Sequence, residues 1–302
     1  MTLAEIFHAN RPTLSLGSIR TYCSLISNLA KQMNLTLEKP ADVIQHYKDI
    51  LEALKDLPPR TRKTRLAALV VFIDKHANSE HAVETFRKQM LEDISVVDKE
   101  NDEQQMTERQ KEGLMSMKDI KSRYNLLKKE VTPLLKLETL DKRQFQRVQL
   151  YVLLSCLLLI PPRRSLDWTE FKLRNTTDAD NYMKIQDRKA YLVFNVYKTA
   201  RKYGQQLVVV PPTLRTLLTK WKKLNPHDYL LMNVSQQNKI TSATITQLLH
   251  EFFERPLSTS MLRHIFLTEE YKDMPAIKEI KQRAHDMGHD MRTALTNYVK
   301  KS

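Results

Sequence analysis

The chain contains 302 residues, of which 28% are charged and only four are glycine, and its formal net charge is +14. This length allows about two domains with sizeable cores, and the scarcity of glycine is typical of a mostly helical protein. The positive charge favours a polyanionic partner, nucleic acid ahead of an anionic membrane surface, because clustered Lys and Arg release counterions from a phosphate backbone.

The sequence disfavours a membrane-spanning protein, a secreted protein and a protein stabilised by disulfides. The longest apolar run, LYVLLSCLLLI at Leu150–Ile160, is shorter than the roughly eighteen apolar residues of a membrane span, and it predicts a buried helix. The N-terminal MTLAEIFHAN lacks a basic region followed by an apolar run, so no secretory signal is expected. Cys23 and Cys156 lie far apart in apolar surroundings, which indicates reduced core residues of an intracellular protein, without distinguishing cytoplasm, nucleus or virion.

The first part of the chain is rich in helical patterns. Between residues 15 and 92, several segments repeat their apolar positions every three or four residues, which predicts a helical domain at residues 1–97. Residues 98–113 are polar and mixed in charge, as is typical of a linker or an exposed helix. We place a boundary there and assign residues 114–302 to a second domain.

The second part combines helices with one strand region. A long helical pattern opens with Asp141 as its predicted N-cap and continues into the apolar run. Tyr191–Tyr197 and Gln206–Val210 are rich in β-branched and aromatic residues, and TARKYG between them supplies a turn. We therefore expect a mainly α fold with a small β-hairpin, an α+β second domain, and Lys198 where the first strand ends.

Two arginines, Arg163 and Arg164, follow a pair of prolines at the end of the apolar helix. Basic residues often stand at helix C-termini because they interact favourably with the helix dipole, so a structural role competes with a functional one. Asp167 follows Arg164 by three residues, where it can hold that guanidinium or cap the next turn.

The segment STSMLRHIFLTEEY predicts a helix with a mixed face. Ser260, Arg263 and His264 are three and four residues apart and therefore share one side of a helix. Leu262, Ile265 and Phe266 are expected to face the core from the adjoining side. An arginine and a histidine beside apolar neighbours also fit a paired interior position, so this pattern alone does not decide a function.

The segment MGHDMRTALTNYVK combines a Gly-His pair with a tyrosine nine residues after the histidine. In one unbroken helix, about 100° per residue would turn the chain by roughly 900° and leave His289 and Tyr298 on opposite faces. A shared role requires a bend between them: Gly288 offers a break just before the histidine, and Thr293 and Thr296 are candidates to start a new helix that carries the tyrosine. His285 and His289 have i, i+4 spacing, but no carboxylate occupies the second position of an HExxH motif, so a metal site is not expected.

Taken in chain order, these features resemble the tyrosine recombinases, or phage-type integrases. The shared pattern is an arginine with an acid three residues later, a hairpin lysine, an arginine in LRH, a Gly-His pair and a late tyrosine. The resemblance covers most of the chain, with residues 1–97 similar to the core-binding domain and residues 114–302 to the catalytic domain. The segment PPRRSLDW is most similar to integrases of large eukaryotic DNA viruses, virophages and related mobile elements.

The resemblance implies a set of roles. The implied catalytic residues are Arg164, Lys198, Arg263, His289 and Tyr298, with Asp167, Ser260 and His264 in support. The tyrosine would be the nucleophile that forms a 3′-phosphotyrosyl link, the arginines and His289 would stabilise charge on the phosphate oxygens, and Lys198 would protonate the 5′-hydroxyl leaving group. No metal, nucleotide or other cofactor is implied.

Two features depart from the family pattern. Ser260 stands where the family has a histidine, and because serine is a poor general base, deprotonation of Tyr298 must fall to another group or run more slowly. The segment VKKS after Asn297-Tyr298 is too short for the helix that many relatives dock onto a neighbouring subunit. The expected partners are double-stranded DNA and further copies of the chain, as a dimer or tetramer on DNA that assembles through other surfaces.

The densest basic cluster is PPRTRKTR, at the start of a predicted helix. Basic residues are unfavourable at a helix N-terminus, so phosphate contact explains them better than local stability, with a solvated charged turn as the alternative. The predicted DNA-binding residues are Arg60, Arg62, Lys63 and Arg65, with Arg201 and Lys202 beside the hairpin turn. Such contacts position DNA without reading its sequence, so no target site is predicted.

Two other functions are compatible with the same residues. A type IB topoisomerase uses phosphotyrosine chemistry to relax supercoiled DNA without a partner site. A catalytically silent DNA-binding relative is favoured by Ser260 and disfavoured by the presence of the other site residues. No membrane partner is expected.

Overall fold

The structure is a computed structural model of the chain, and it describes residues 1–104, 106–288, 290–293 and 295, with residue 293 described only in its backbone. The described part is mainly helical with one small four-stranded sheet, which confirms the predicted mainly α, α+β fold class.

The elements of the first unit described below are α1 (Leu3–Asn10), α2 (Leu16–Met33), α3 (Pro40–Gln45), α4 (Tyr47–Leu54), α5 (Pro59–Ile73), α6 (Glu80–Asp102), α15 (Ile277–Asp286) and α16 (Met291–Thr293). The helices of the second unit are α7 (Glu108–Gly113), α8 (Met117–Val131), α9 (Lys142–Leu158), α10 (Ser165–Thr169), α11 (Ala200–Tyr203), α12 (Pro212–Leu224), α13 (Ser242–Phe253) and α14 (Thr259–Glu270), with a 3₁₀ turn at Leu134–Lys136. Its strands are β1 (Phe171–Lys172), β2 (Asn181–Gln186), β3 (Lys189–Phe194) and β4 (Gln206–Val209).

The chain divides into two compact units. The first combines the described residues of 1–105 with those of 275–302, and the second is formed by residues 106–274. The predicted linker at residues 98–113 is largely helical, because α6 continues to Asp102 and α7 covers Glu108–Gly113. The helix α15 belongs to the first unit, whereas the sequence pattern assigns its residues to the domain at 114–302; the predicted limits of 1–97 and 114–302 stay predictions.

The first unit is a helical domain around an aromatic and aliphatic core. Phe7, Phe72 and Phe86 are fully buried, and the ring centroids of Phe7 and Phe72 lie 5.4 Å apart. The longest early helix, α2, is capped by Ser15 at its N-terminus and ends at Asn34 in a left-handed conformation. The amphipathic helices that the sequence pattern predicts thus build this core.

The second unit is organised around α9. Asp141 caps this helix, because its side chain accepts a hydrogen bond from the Gln144 N–H. The Gln144 side chain in turn accepts one from the Asp141 N–H, which confirms the predicted cap. The helix is buried along its whole second half, as predicted for the apolar run. Within the described residues, no helix has both the length and the apolarity needed to cross a membrane.

The sheet has the strand order β1-β2-β3-β4. The predicted hairpin is formed by β3 and β4, which pair antiparallel from Tyr191 opposite Val209 to Phe194 opposite Gln206. Strand β2 is not predicted by the sequence pattern, although it pairs antiparallel with β3 through a tight turn at Asp187. Asp187 and Arg188 both adopt left-handed φ values, of 50° and 62°, without the Gly or Asn that usually mark such a turn.

Candidate active site

The N-termini of two helices meet at the centre of the candidate site. Arg164 is the N-cap residue of α10, which begins at Ser165, and Ser258 is the N-cap residue of α14, which begins at Thr259. The Ser165 Oγ and the buried Thr259 Oγ1 lie 2.9 Å apart and share a hydrogen bond. This bond fixes Arg164 beside the start of the helix that carries Arg263.

Asp167 is buried on α10, with 2% of its surface exposed. Its carboxyl pairs with Arg163 rather than with the predicted partner Arg164, because the Arg163 Nε donates to Asp167 Oδ2 over 2.8 Å. The two residues are one helical turn apart, and the Asp167 backbone N–H donates to the Arg164 carbonyl at 3.1 Å. Among the described residues, Asp167 Oδ1 has no hydrogen-bond partner.

The pKa values of Arg263 and Asp167 are both shifted at this junction. Burial lowers the pKa of the Arg263 guanidinium, and the positive charge of Arg164 lowers it further, against the opposite effect of Asp167. Burial also raises the pKa of the Asp167 carboxyl, against the lowering effects of Arg163, Arg164 and Arg263. Arg163 contacts this carboxyl directly, and Arg164 and Arg263 are near enough for their charges to lower its pKa.

The helix α14 carries the remaining predicted residues of this segment. Arg263 is half-buried, while Ser260 and His264 are exposed. Leu262 is buried, as predicted for the core-facing side. The His264 Nε2 lies 3.4 Å from the Gln110 side-chain nitrogen. The two supporting residues therefore lie at the surface on either side of Arg263.

Lys198 lies in the connection between β3 and β4, at residues 195–205, which we call the lysine loop. The side chain of Lys198 is exposed, as are those of Arg201 and Lys202 on the short helix α11 within the loop. The Tyr197 Oη donates to the Gly204 carbonyl at 2.6 Å and so closes the loop upon itself. The predicted strand at Tyr191–Tyr197 thus ends earlier, at Phe194, and Lys198 lies four residues beyond it rather than directly at its end.

Asn181, at the start of β2, is a site residue that the sequence does not mark. Its surroundings, NTTDADNYM, look like an ordinary polar turn. In the structure its side chain is fully buried and hydrogen-bonded on both sides, to the Asp167 carbonyl and to the backbone of Asn195 and Val196. Its only sequence signal is an asparagine at the first position of a weak strand pattern.

His289 and Tyr298 lie outside the described residues, so their membership of the site stays a prediction. The helix before them, α15, ends at Asp286, and Gly288 adopts a left-handed φ of +75°, in agreement with the predicted break. The Lys281 Nζ on α15 lies 2.6 and 2.7 Å from the two carboxyl oxygens of Asp102 at the end of α6.

In the basic cluster of the first unit, one arginine is paired with a buried carboxylate. The Arg62 Nε lies 3.1 and 3.0 Å from the two oxygens of Asp93, whose carboxyl is almost fully buried. Because this guanidinium is paired with its carboxylate, we expect Arg62 to contribute less to DNA binding than its neighbours, and its contact with phosphate stays a prediction. Arg60 is exposed and bonds Asn101, and Arg65 bonds Gln32, so both keep donors at or near the surface. The side chain of Lys63 is half-buried.

Across the described ranges, no group of three or more His, Cys, Asp or Glu side chains is arranged to hold a metal ion.

No family model matches the chain, and no match was found among curated proteins. Among solved structures, the chain is similar to one described as "Crystal structure of XerA recombinase", with 13% sequence identity and a TM-score of 0.36. That similarity covers 99% of this chain and 94% of the other. At this identity and TM-score, the likeness does not assign the chain to a family.

Proposed function

We propose that the protein cleaves and rejoins DNA strands through a covalent bond between Tyr298 and a 3′-phosphate, as a tyrosine recombinase does. The observation that carries this proposal is the pair of arginines, Arg164 and Arg263, held at the joined N-termini of α10 and α14. The positive charge of Arg164 lowers the pKa of the Arg263 guanidinium, and neither arginine is the hydrogen-bonded partner of the buried Asp167.

An anion would relieve the electrostatic strain of this arrangement. Two like charges held together are unfavourable, and the half-buried position of Arg263 reduces the screening by water. A phosphate between the guanidiniums would accept paired hydrogen bonds from their planar forks. The negative charge that accumulates on the non-bridging oxygens during attack would be stabilised still more, which is how such donors accelerate a reaction.

The proposed step transfers the phosphate from the DNA strand to the enzyme. The Tyr298 oxygen bonds to phosphorus as the bond to the 5′ oxygen breaks, the leaving oxygen takes a proton from the Lys198 ammonium, and the phenol proton passes to water. His289 donates a further hydrogen bond to the phosphate. The reverse reaction, with a 5′-hydroxyl from another strand, rejoins the DNA. No metal or other cofactor enters this scheme.

The same proposal extends to the biological role. We assign the chain to integration or recombination of a viral or mobile DNA, with the subunits assembled as a dimer or tetramer on double-stranded DNA. The exposed cations of the lysine loop, together with Arg60, Lys63 and Arg65 of the first unit, would contact the phosphate backbone.

The test is covalent capture. The natural chain is mixed with nicked duplex DNA of pooled sequence and analysed on a denaturing gel, beside Tyr298→Phe and the control Tyr271→Phe, which alters an exposed tyrosine at the end of α14. An adduct at a 3′-phosphate should form with the natural chain and with Tyr271→Phe but not with Tyr298→Phe. An adduct that survives Tyr298→Phe would overturn the assignment of the nucleophile.

Ser260 favours a second candidate, a DNA-binding protein without catalysis. Its exposed hydroxyl stands where the family pattern has a histidine. This candidate predicts tight, salt-sensitive DNA binding with no adduct from any substrate, and Ser260→His would then restore none. A type IB topoisomerase is distinguished by turnover on any supercoiled DNA without a partner site.

A further inference from the structure

We infer that Arg163 and Asn181 are positioning residues that fix the lysine loop to the helix carrying Arg164, and so set where Lys198 meets the DNA. The inference rests on the proposed function, because it concerns the group that protonates the leaving oxygen. Neither residue belongs to the family pattern from which the site was predicted.

Arg163 contacts both ends of the lysine loop. Its Nη1 donates to the Gln206 Oε1 at 2.9 Å, where β4 begins, and its guanidinium lies 3.9 Å from the ring centroid of Phe194, where β3 ends. The ring of Tyr197, within the loop, is 5.3 Å away. The remaining side of the guanidinium is held by Asp167 on α10. One planar cation therefore joins three elements through hydrogen bonds and ring contacts.

The side chain of Asn181 holds the backbone at the start of the same loop. Its Oδ1 accepts from the N–H groups of Asn195 and Val196 at 2.8 and 2.7 Å, and its Nδ2 donates to the Val196 carbonyl at 2.8 Å. The same Nδ2 donates to the Asp167 carbonyl at 3.0 Å. The amide therefore connects α10 with the residues that precede Lys198 by two and three positions.

Both connections converge on Asp167, which lies three residues after Arg164. The side chain of Asp167 holds Arg163, and its carbonyl holds Asn181. Because Arg163 and Asn181 are largely buried, their geometry is set by packing as well as by hydrogen bonds. The exposed lysine would thus be presented by a rigid base rather than by a free turn, and misplacement by about 1 Å can lower a rate roughly 100-fold.

The first measurement follows amide hydrogen exchange in the lysine loop for the natural chain, Arg163→Met, Gln206→Met and Arg174→Met. The last is a matched control, because Arg174 is likewise a half-buried arginine, bonded to the carbonyls of Asn225 and His227, and none of these bonds involves the loop. Exchange at residues 195–205 should rise in the first two variants and stay unchanged in Arg174→Met. Gln206→Met removes a single acceptor and serves as the milder change.

The second measurement compares cleavage of a substrate whose bridging 5′ oxygen is replaced by sulfur. A thiolate leaves without protonation, so the sulfur substrate restores activity to a variant that has lost its general acid. We expect Lys198→Ala to lose about 100- to 10,000-fold on the oxygen substrate, Arg163→Met and Asn181→Leu about 100-fold, and all three to recover on sulfur.

The outcomes are separable. Unchanged exchange in the loop of Arg163→Met, or a cleavage defect that sulfur does not relieve, overturns the inference while leaving the function intact. If the natural chain forms no adduct with either substrate, the proposed function fails, and the exchange measurement still decides whether Arg163 fixes the loop.

Discussion

Each unit of the protein contains a buried aspartate paired with an arginine from a basic stretch. In the first unit, both oxygens of Asp93 accept from the Arg62 Nε, at 3.1 and 3.0 Å. In the second unit, only one oxygen of Asp167 is bound, by Arg163 at 2.8 Å, and the other has no hydrogen-bond partner in the part of the chain that the structure describes.

The Arg62–Asp93 pair has a purely structural arrangement, whereas the Arg163–Asp167 pair lies at the candidate site. Asp93 and Arg62 are each other's hydrogen-bond partners, so their charges neutralise each other locally. Arg163 is paired in the same way beside Asp167, and in the proposed function the adjacent Arg164 and Arg263 bind the phosphate. The neighbouring residues Arg163 and Arg164 thus differ in their contacts, because only Arg163 is hydrogen-bonded to Asp167.

The largest expected effect tests the closed pair. Arg62→Met should lower the free energy of unfolding by roughly 3–5 kcal/mol, because the Asp93 carboxylate would be left buried without a partner. Urea titration followed by circular dichroism measures this, with Arg60→Met as a control expected to stay within about 0.5 kcal/mol. The double change Arg62→Met with Asp93→Leu should recover most of the loss. A stable Arg62→Met protein would break the comparison.

The next effect tests the available arginines. Arg164→Ala and Arg263→Ala should each slow adduct formation by about 100- to 1000-fold, since each removes a preorganised donor to the phosphate. The exposed Arg143→Ala is the matched control and should keep its rate. Melting temperatures should be similar in all three variants. If Arg164→Ala cleaves normally while Arg163→Ala folds yet is inactive, the two arginines have exchanged roles.

A smaller effect concerns DNA affinity. Removing one phosphate contact should reduce the slope of log affinity against log salt by about 0.9, so Arg60→Ala and Lys202→Ala should each show that reduction. The double variant of Arg62 and Asp93 should leave the slope unchanged, because Arg62 is committed to its carboxylate. Fluorescence anisotropy with a duplex at several salt concentrations measures the slopes. A shallower slope for the double variant would show that Arg62 contacts a phosphate of the DNA.

The smallest effect comes from an exposed ion pair. The hydrogen bond from Arg147 lowers the pKa of Glu130 in the folded protein, so the pair stabilises above the ordinary pKa of a glutamate and is lost as pH falls through the folded value. Glu130→Gln should therefore cost about 0.2–1 kcal/mol at pH 7 and less at an acidic pH below the folded pKa of Glu130. Parallel urea titrations at both pH values measure this. An equal cost at both would show that the pair acts through packing.

Local patterns were sufficient for the helical content, the Asp141 cap, the buried apolar helix and the hairpin with Lys198 beyond its first strand, because each depends on neighbours within a few residues. Strand β2 escaped because its turn uses left-handed Asp and Arg residues without glycine. Asn181 escaped because its partners are contributed by segments that adjoin it only after folding.

Long-range packing alone selected which arginine pairs with which carboxylate. The sequence places Asp167 within one turn of both Arg163 and Arg164, and nothing in it connects Arg62 with Asp93, thirty-one residues later. Those pairings depend on which side chains the core leaves in water, since a buried carboxylate requires a partner wherever one can reach it. Composition therefore established that the protein is basic, and the fold established which of its arginines are paired with buried carboxylates.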